Sequence, residues 1–72
     1  MQHTLTPRKL LNSKWTSVNP QSKEKHFLVI SVEFDELGKV TECIIQAVMT
    51  HREQAINWRD LKDPKVWKMG WK

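Results

Sequence analysis

The chain has 72 residues and a formal net charge of +4, from 12 Lys and Arg against 8 Asp and Glu, with four Trp, no Tyr and one Cys. A chain of this length buries only about 60% of the surface its unfolded form exposes, and such a core supplies about 3–5 kcal/mol, which excludes two domains and any enzyme built around a large enclosed pocket. The lone thiol Cys43 excludes an intrachain disulfide, the start MQHTLTPRKLL lacks an apolar signal-like stretch, and the apolar run Phe27-Leu28-Val29-Ile30 is too short to span a bilayer, so a soluble, cytoplasmic, monomeric single domain is expected.

Residues 1–6 are expected to be disordered. Thr6-Pro7 then offers a capping hydroxyl with proline at the first helical position, enough for a single turn through Leu10 and Leu11. Lys14-Trp15-Thr16-Ser17-Val18 alternates and is rich in β-formers, which predicts a short strand ended by the turn chemistry of Asn19-Pro20-Gln21-Ser22.

From His26 to Asp35 the even positions Leu28, Ile30, Val32 and Phe34 make one apolar face, while the odd side starts apolar at Phe27 and Val29 and turns polar at Ser31 and Glu33. Gly38 can take the positive φ of a hairpin loop, and Val40 to Met49 then presents Cys43, Ile45, Ala47 and Met49 on one side. Pairing Asp35 with Val40 sets Val32 beside Cys43, Ile30 beside Ile45 and Leu28 beside Ala47, with Glu33 opposite Glu42 on the other face. That like-charge pair costs tenths of a kcal/mol, less than the burial of the aliphatic set returns.

A third strand, Gln54 to Trp58, is predicted with Ile56 beside Ala47 and Trp58 beside Ile45, although the turn this requires at His51-Arg52 has neither Gly nor Asn. Asp63-Pro64 resembles a helix start and Gly70 a helix stop, which predicts a helical turn from Pro64 to Met69. The expected architecture is mainly β: a small antiparallel meander of three or four strands, open to curling into an SH3-like barrel, with a short C-terminal helical turn.

Charge is divided along the chain. Residues 1–25 and 54–72 are basic, whereas residues 26–53 are acidic through Glu33, Asp35, Glu36, Glu42 and Glu53. If the two basic ends share a side they form a surface that attracts phosphates; if they line opposite sides they serve solubility. The sequence leaves this open.

Each Trp adjoins a cation, as Lys14-Trp15, Trp58-Arg59, Trp67-Lys68 and Trp71-Lys72. Rings interleaved with cations suit single-stranded nucleic acid, where bases stack and phosphates need positive partners. The same pattern arises in any amphipathic strand, since neighbours point to opposite faces. Trp58, sharing a face with Ile56, is expected in the core, and Trp67 and Trp71 are expected to cap the fold in place of a disulfide.

For catalysis the sequence offers little. His3, His26, His51 and Cys43 show no zinc spacing, so neither metal nor cofactor is expected. Cys43 on an apolar face behaves as a small hydrophobe, and Glu33 and Glu42 would stand on an open, solvated face. With Gly38 and Gly70 the chain has no glycine-rich phosphate loop.

The segments KLLNSKWTSVNPQSKEKHFLV, ECIIQAV and INWRDLKDPKVWKMGW resemble the short tryptophan-rich bacterial proteins that form a domain family of unknown function, most specifically at SKWT, EKHF and the ending W-R-D-L-K-D…W-x-x-G-W. The resemblance covers residues 7–71 and implies bacterial origin and a free-standing domain; it implies no catalytic residue, cofactor or partner.

The expected function is a non-enzymatic binding module that contacts nucleic acid or a ribonucleoprotein through Lys14, Trp15, Lys23, Lys25, Arg59, Lys68 and Trp71. The alternative is a protein-interaction module using an exposed strand edge or a Trp-lined groove.

Overall fold

The computed structural model describes residues 6–21 and 24–72. The expected disorder at the N-terminus concerns residues 1–5, which lie outside the described residues, and Thr6, whose carbonyl accepts from the Lys9 N–H at 3.0 Å.

Among the described residues five strands make one antiparallel sheet: β1 (Lys14–Gln21), β2 (Glu24–Phe34), β3 (Val40–Ala47), β4 (Glu53–Ile56) and β5 (Trp67–Met69), in the order β4-β3-β2-β1-β5. The first four form the expected meander, and β5 returns to pair with β1. β4 and β5 are the two outer strands, so the sheet is open rather than closed into a barrel. Two short 3-10 turns, Pro7–Lys9 and Trp58–Lys62, lie outside it.

β1 runs past the expected stop at Asn19-Pro20 to Gln21, and its pairing with β2 shifts between Thr16 and Gln21. Such an irregularity accommodates Pro20, which cannot donate to a regular ladder.

The β2–β3 hairpin keeps the expected pairs Val32 with Cys43 and Glu33 with Glu42, but Val29 rather than Ile30 stands opposite Ile45, and Phe27 rather than Leu28 opposite Ala47. A register shift between Val29 and Ser31 inserts one residue into β2, which switches the inward face from odd to even positions. Phe27 and Val29 are therefore buried, whereas Leu28 and Ile30 are only half-buried. A second shift makes Phe34, not Asp35, the partner of Val40. Asp35 instead closes the loop, its Oδ1 accepting from the Leu37 and Lys39 N–H groups at 2.9 Å each, with Gly38 at φ 80°.

β4 pairs Ile56 with Cys43 and Gln54 with Ile45, four positions from the expected register. The two-residue turn at His51-Arg52 is replaced by a longer loop in which the His51 N–H donates to the Ala47 carbonyl at 2.8 Å and His51 takes φ 61°. An even shift preserves the faces, so Ile56 still points to the core. Trp58, expected on this strand, begins the second 3-10 turn and packs half-buried against the core.

The expected helix at Pro64–Met69 is a single turn followed by β5. The Asp63 Oδ1 accepts the Lys65 N–H at 2.9 Å and the Asp63 carbonyl accepts from Val66 and Trp67, after which the chain extends. Pairing of Ser17 with Trp67, Thr16 with Lys68 and Trp15 with Met69 satisfies edge groups of β1 that a continued helix would leave unpaired.

One face of the sheet is the core: Trp15, Phe27, Val29, Cys43, Ile45, Ala47 and Trp67, covered by Leu10 and by Leu61 of the second 3-10 turn. Trp67 and Phe27 meet edge to face, with centroids 5.1 Å apart at 88°. No helix among the described residues is long and apolar enough to cross a membrane.

Candidate functional site

Alternation along β1 and β5 decides which side chains share the face opposite the core. Trp15 and Trp67 point inward, so Lys14, Thr16 and Lys68 point the other way, together with His26, which pairs with Thr16. Across this face the residues after β5 form a strap. The Gly70 N–H donates to the Lys14 carbonyl at 2.7 Å; the Thr16 hydroxyl donates to the Gly70 carbonyl at 2.7 Å and accepts from the Lys72 N–H at 2.9 Å. Gly70 has φ 80°, a left-handed conformation that a glycine adopts freely, and this turns the chain from β5 onto the sheet.

The strap carries Trp71. Its Nε1 donates to the Phe27 carbonyl at 3.0 Å, and the Lys14 ammonium sits 4.8 Å from the ring centroid. His26 adds a tilted ring contact at 6.1 Å, and its Nε2 lies 3.0 Å from the Lys72 backbone oxygen. The indole is thus fixed in orientation yet 43% exposed. Lys14 stands against the ring, while Lys68, opposite Thr16, and Lys72, whose N–H donates to the Thr16 hydroxyl, lie on the same outer face because β1 and β5 are neighbours.

The sequence-predicted residues therefore divide. Lys14 meets Trp71, and Lys68 shares their face of the sheet. Trp15 is fully buried, its Nε1 donating to the Ser13 Oγ at 2.8 Å, so its ring cannot serve as a stacking surface. Lys25 is an exposed residue of β2, and Lys23 lies outside the described residues. Arg59 is exposed on the second 3-10 turn, which covers the core on the opposite side of the sheet. His26 and Lys72 join the Trp71 site although neither is among the residues the sequence points to for binding. Their only sequence signal was adjacency, of His26 to Lys25 and of Lys72 to Trp71.

One end of the core face holds a different cluster. Glu24 is buried and receives the Arg52 guanidinium through Nε, at 3.1 and 3.0 Å to its two carboxylate oxygens, and through Nη2, while the Thr50 hydroxyl donates at 2.6 Å. The hydrogen bonds from Arg52, then that from Thr50, hold the Glu24 carboxyl down at about 2. This cluster ties the β3–β4 loop to the start of β2.

Cys43 is 1% exposed, and burial pushes its thiol above the ordinary range. Glu33 and Glu42 face each other in exposed positions. No group of three or more His, Cys, Asp or Glu able to hold a metal ion occurs among the described residues.

A small, open, mainly antiparallel β domain with an anchored surface tryptophan is the class that fold and site define. The sequence profile of the tryptophan-rich protein family DUF2389 matches residues 13–72, and the chain belongs to that family, a domain of unknown function. Neither a curated protein nor a solved structure matches the chain.

Proposed function

We propose that this domain is a non-enzymatic binding module that takes single-stranded nucleic acid across the outer face of β1 and β5. The observation that carries the reading is the half-exposed Trp71, which meets the Lys14 ammonium on the same outer face of the sheet as Lys68 and the strap residue Lys72. A base stacks on the indole by replacing the Lys14 ammonium, and the released ammonium then meets the adjacent phosphate. Because the Phe27 carbonyl already fixes the indole, little ordering cost is left for binding. Neither the ring nor the ammonium groups read base edges, so the expected preference is for strand state rather than sequence.

Fluorescence titration with single-stranded RNA and DNA oligonucleotides tests the reading. Binding is expected to quench Trp71 and to weaken with salt at a log–log slope of about −2, three lysines at roughly −0.7 each. Trp71→Leu should remove most of the quench, and Lys68→Gln should reduce the slope. Absence of binding at low salt overturns the reading.

A second reading, docking of a protein partner, is favoured by the hairpin tip, where Leu37 is 81% and Phe34 46% exposed, and by the outer position of β4. It predicts a partner that co-purifies at high salt and is lost on Leu37→Ser.

A further inference from the structure

We propose a second ligand site, on the opposite side of the sheet from Trp71: a cradle at the second 3-10 turn for a phosphate group that carries a flat ring, the chemistry of a nucleoside monophosphate. In a 3-10 helix, side chains three positions apart eclipse. Arg59 and Lys62 have this spacing within Trp58–Lys62, and Lys65 follows in a separate turn, after the extended Asp63, closed by the Val66 N–H on the Asp63 carbonyl. All three cations line one hollow of about 470 Å³, together with Asp63 and Pro64.

The charge in this hollow is largely unspent. Among the described residues Asp63 is its only lining acid, and its Oδ1 accepts the Lys65 N–H of its own turn at 2.9 Å. Among the described residues none of Arg59, Lys62 and Lys65 forms an ion pair. A phosphate with two or three charge-assisted donors is the ligand such a group suits, and Arg59 adds the planar fork that matches it.

Next to the hollow lies a cleft of about 480 Å³ whose wall includes the half-buried Val40, Ile56 and Trp58, and Arg59 borders both spaces. The Lys62 ammonium stands 4.7 Å from the Trp58 ring centroid, which links the aromatic wall to the cationic hollow. A ring in the cleft and a phosphate in the hollow are thus joined across Arg59. The ligand has two sources, a free nucleotide or one nucleotide of a single strand.

Amide and indole NMR titration of the whole chain with adenosine monophosphate, inorganic phosphate, adenosine and a short oligodeoxyadenylate tests the site. The monophosphate should shift the Trp58 indole and the amides of residues 59–65, inorganic phosphate only those amides, and adenosine neither appreciably. A stronger response to the oligonucleotide assigns the strand as the source, and a stronger response to the monophosphate assigns the free nucleotide. The exposed substitutions Arg59→Gln and Lys65→Gln should each weaken binding roughly tenfold, about the worth of one charge-assisted hydrogen bond. The Trp71 indole reports the other site in the same spectra, and a monophosphate that shifts Trp58 but not Trp71 shows that the two sites stand or fall separately. No response at residues 58–65 to either the monophosphate or the oligonucleotide overturns the proposal, as does equal binding of phosphate and monophosphate.

Discussion

The Lys14 ammonium rests 4.8 Å from the centroid of Trp71, so the first strand and the last residues of the chain are joined by one cation and one ring. The contact exists because β5 pairs with β1 and Gly70 turns the strap over Thr16. It brings Lys14 and Lys68, one cation from each basic stretch, to one face, while Arg59, Lys62 and Lys65 stand on the other side of the sheet. Among the described residues the C-terminal basic stretch is thus divided between the two sides of the sheet.

Removing the strap contacts should cost stability in a definite order. Lys14→Met loses one exposed cation–π pair, about 0.5–1 kcal/mol. Trp71→Leu loses that pair, the bond to the Phe27 carbonyl and part of the ring's burial, and is expected to cost about 1.5–3 kcal/mol. Urea unfolding of the two variants checks the order; equal losses would show that the ring contributes nothing beyond its lysine.

The Glu24 carboxyl, held at about 2 by Arg52 and Thr50, makes stability depend on pH. Its folded value lies below the ordinary 4.5, so the folded state favours the ionised form; the contribution is complete above about pH 4.5 and is lost as pH falls toward 2. Thermal melts from pH 6 to pH 2 should show a fall in midpoint that is reduced in Glu24→Gln. Arg52→Lys keeps the charge but loses the forked geometry, and should retain the direction of the effect with a smaller amplitude.

Trp67 tests how little core this domain can lose. Its ring packs edge to face on Phe27 and is 8% exposed. Truncation of a buried Trp to Ala costs about 3–5 kcal/mol, as much as a core in this size class supplies, so Trp67→Ala should be unfolded by circular dichroism at room temperature. Trp67→Phe keeps an edge-to-face pair and should remain folded with a lowered midpoint.

How far the sequence could be read follows from where two solutions scored alike. Val32 with Cys43 and Glu33 with Glu42 were legible because only one phase is apolar there. Upstream, Phe27-Leu28-Val29-Ile30 is apolar in both phases, so an unshifted strand and a shifted one bury comparable sets; the shifted strand is the one that sets Phe27 edge to face on Trp67. β5 was hidden by Asp63-Pro64, which does start a turn; that the turn stops after one cycle depends on β1 offering a free edge, a long-range condition. The same condition hid the Trp71 site, because nothing local in Trp71-Lys72 points to Lys14 or His26.

His51 gives the last expectation. The sequence lacked Gly or Asn at this turn, and the structure takes the loop through His51 at φ 61°, where an L side chain bearing a Cβ is strained. Its backbone is used, donating to the Ala47 carbonyl at 2.8 Å and accepting from the Gln46 amide at 3.5 Å, and these contacts do not require the imidazole. His51→Gly should therefore stabilise the fold by about 0.5–1 kcal/mol, the relief of the left-handed conformation less the added freedom of the unfolded chain. The reverse change at Gly38, φ 80°, meets no heavy atom within 4 Å, so Gly38→Ala isolates the backbone term alone and should destabilise by about 1 kcal/mol. Opposite signs for the two variants in urea unfolding are the expected result; a destabilising His51→Gly would mean that the imidazole contributes contacts of its own to the loop.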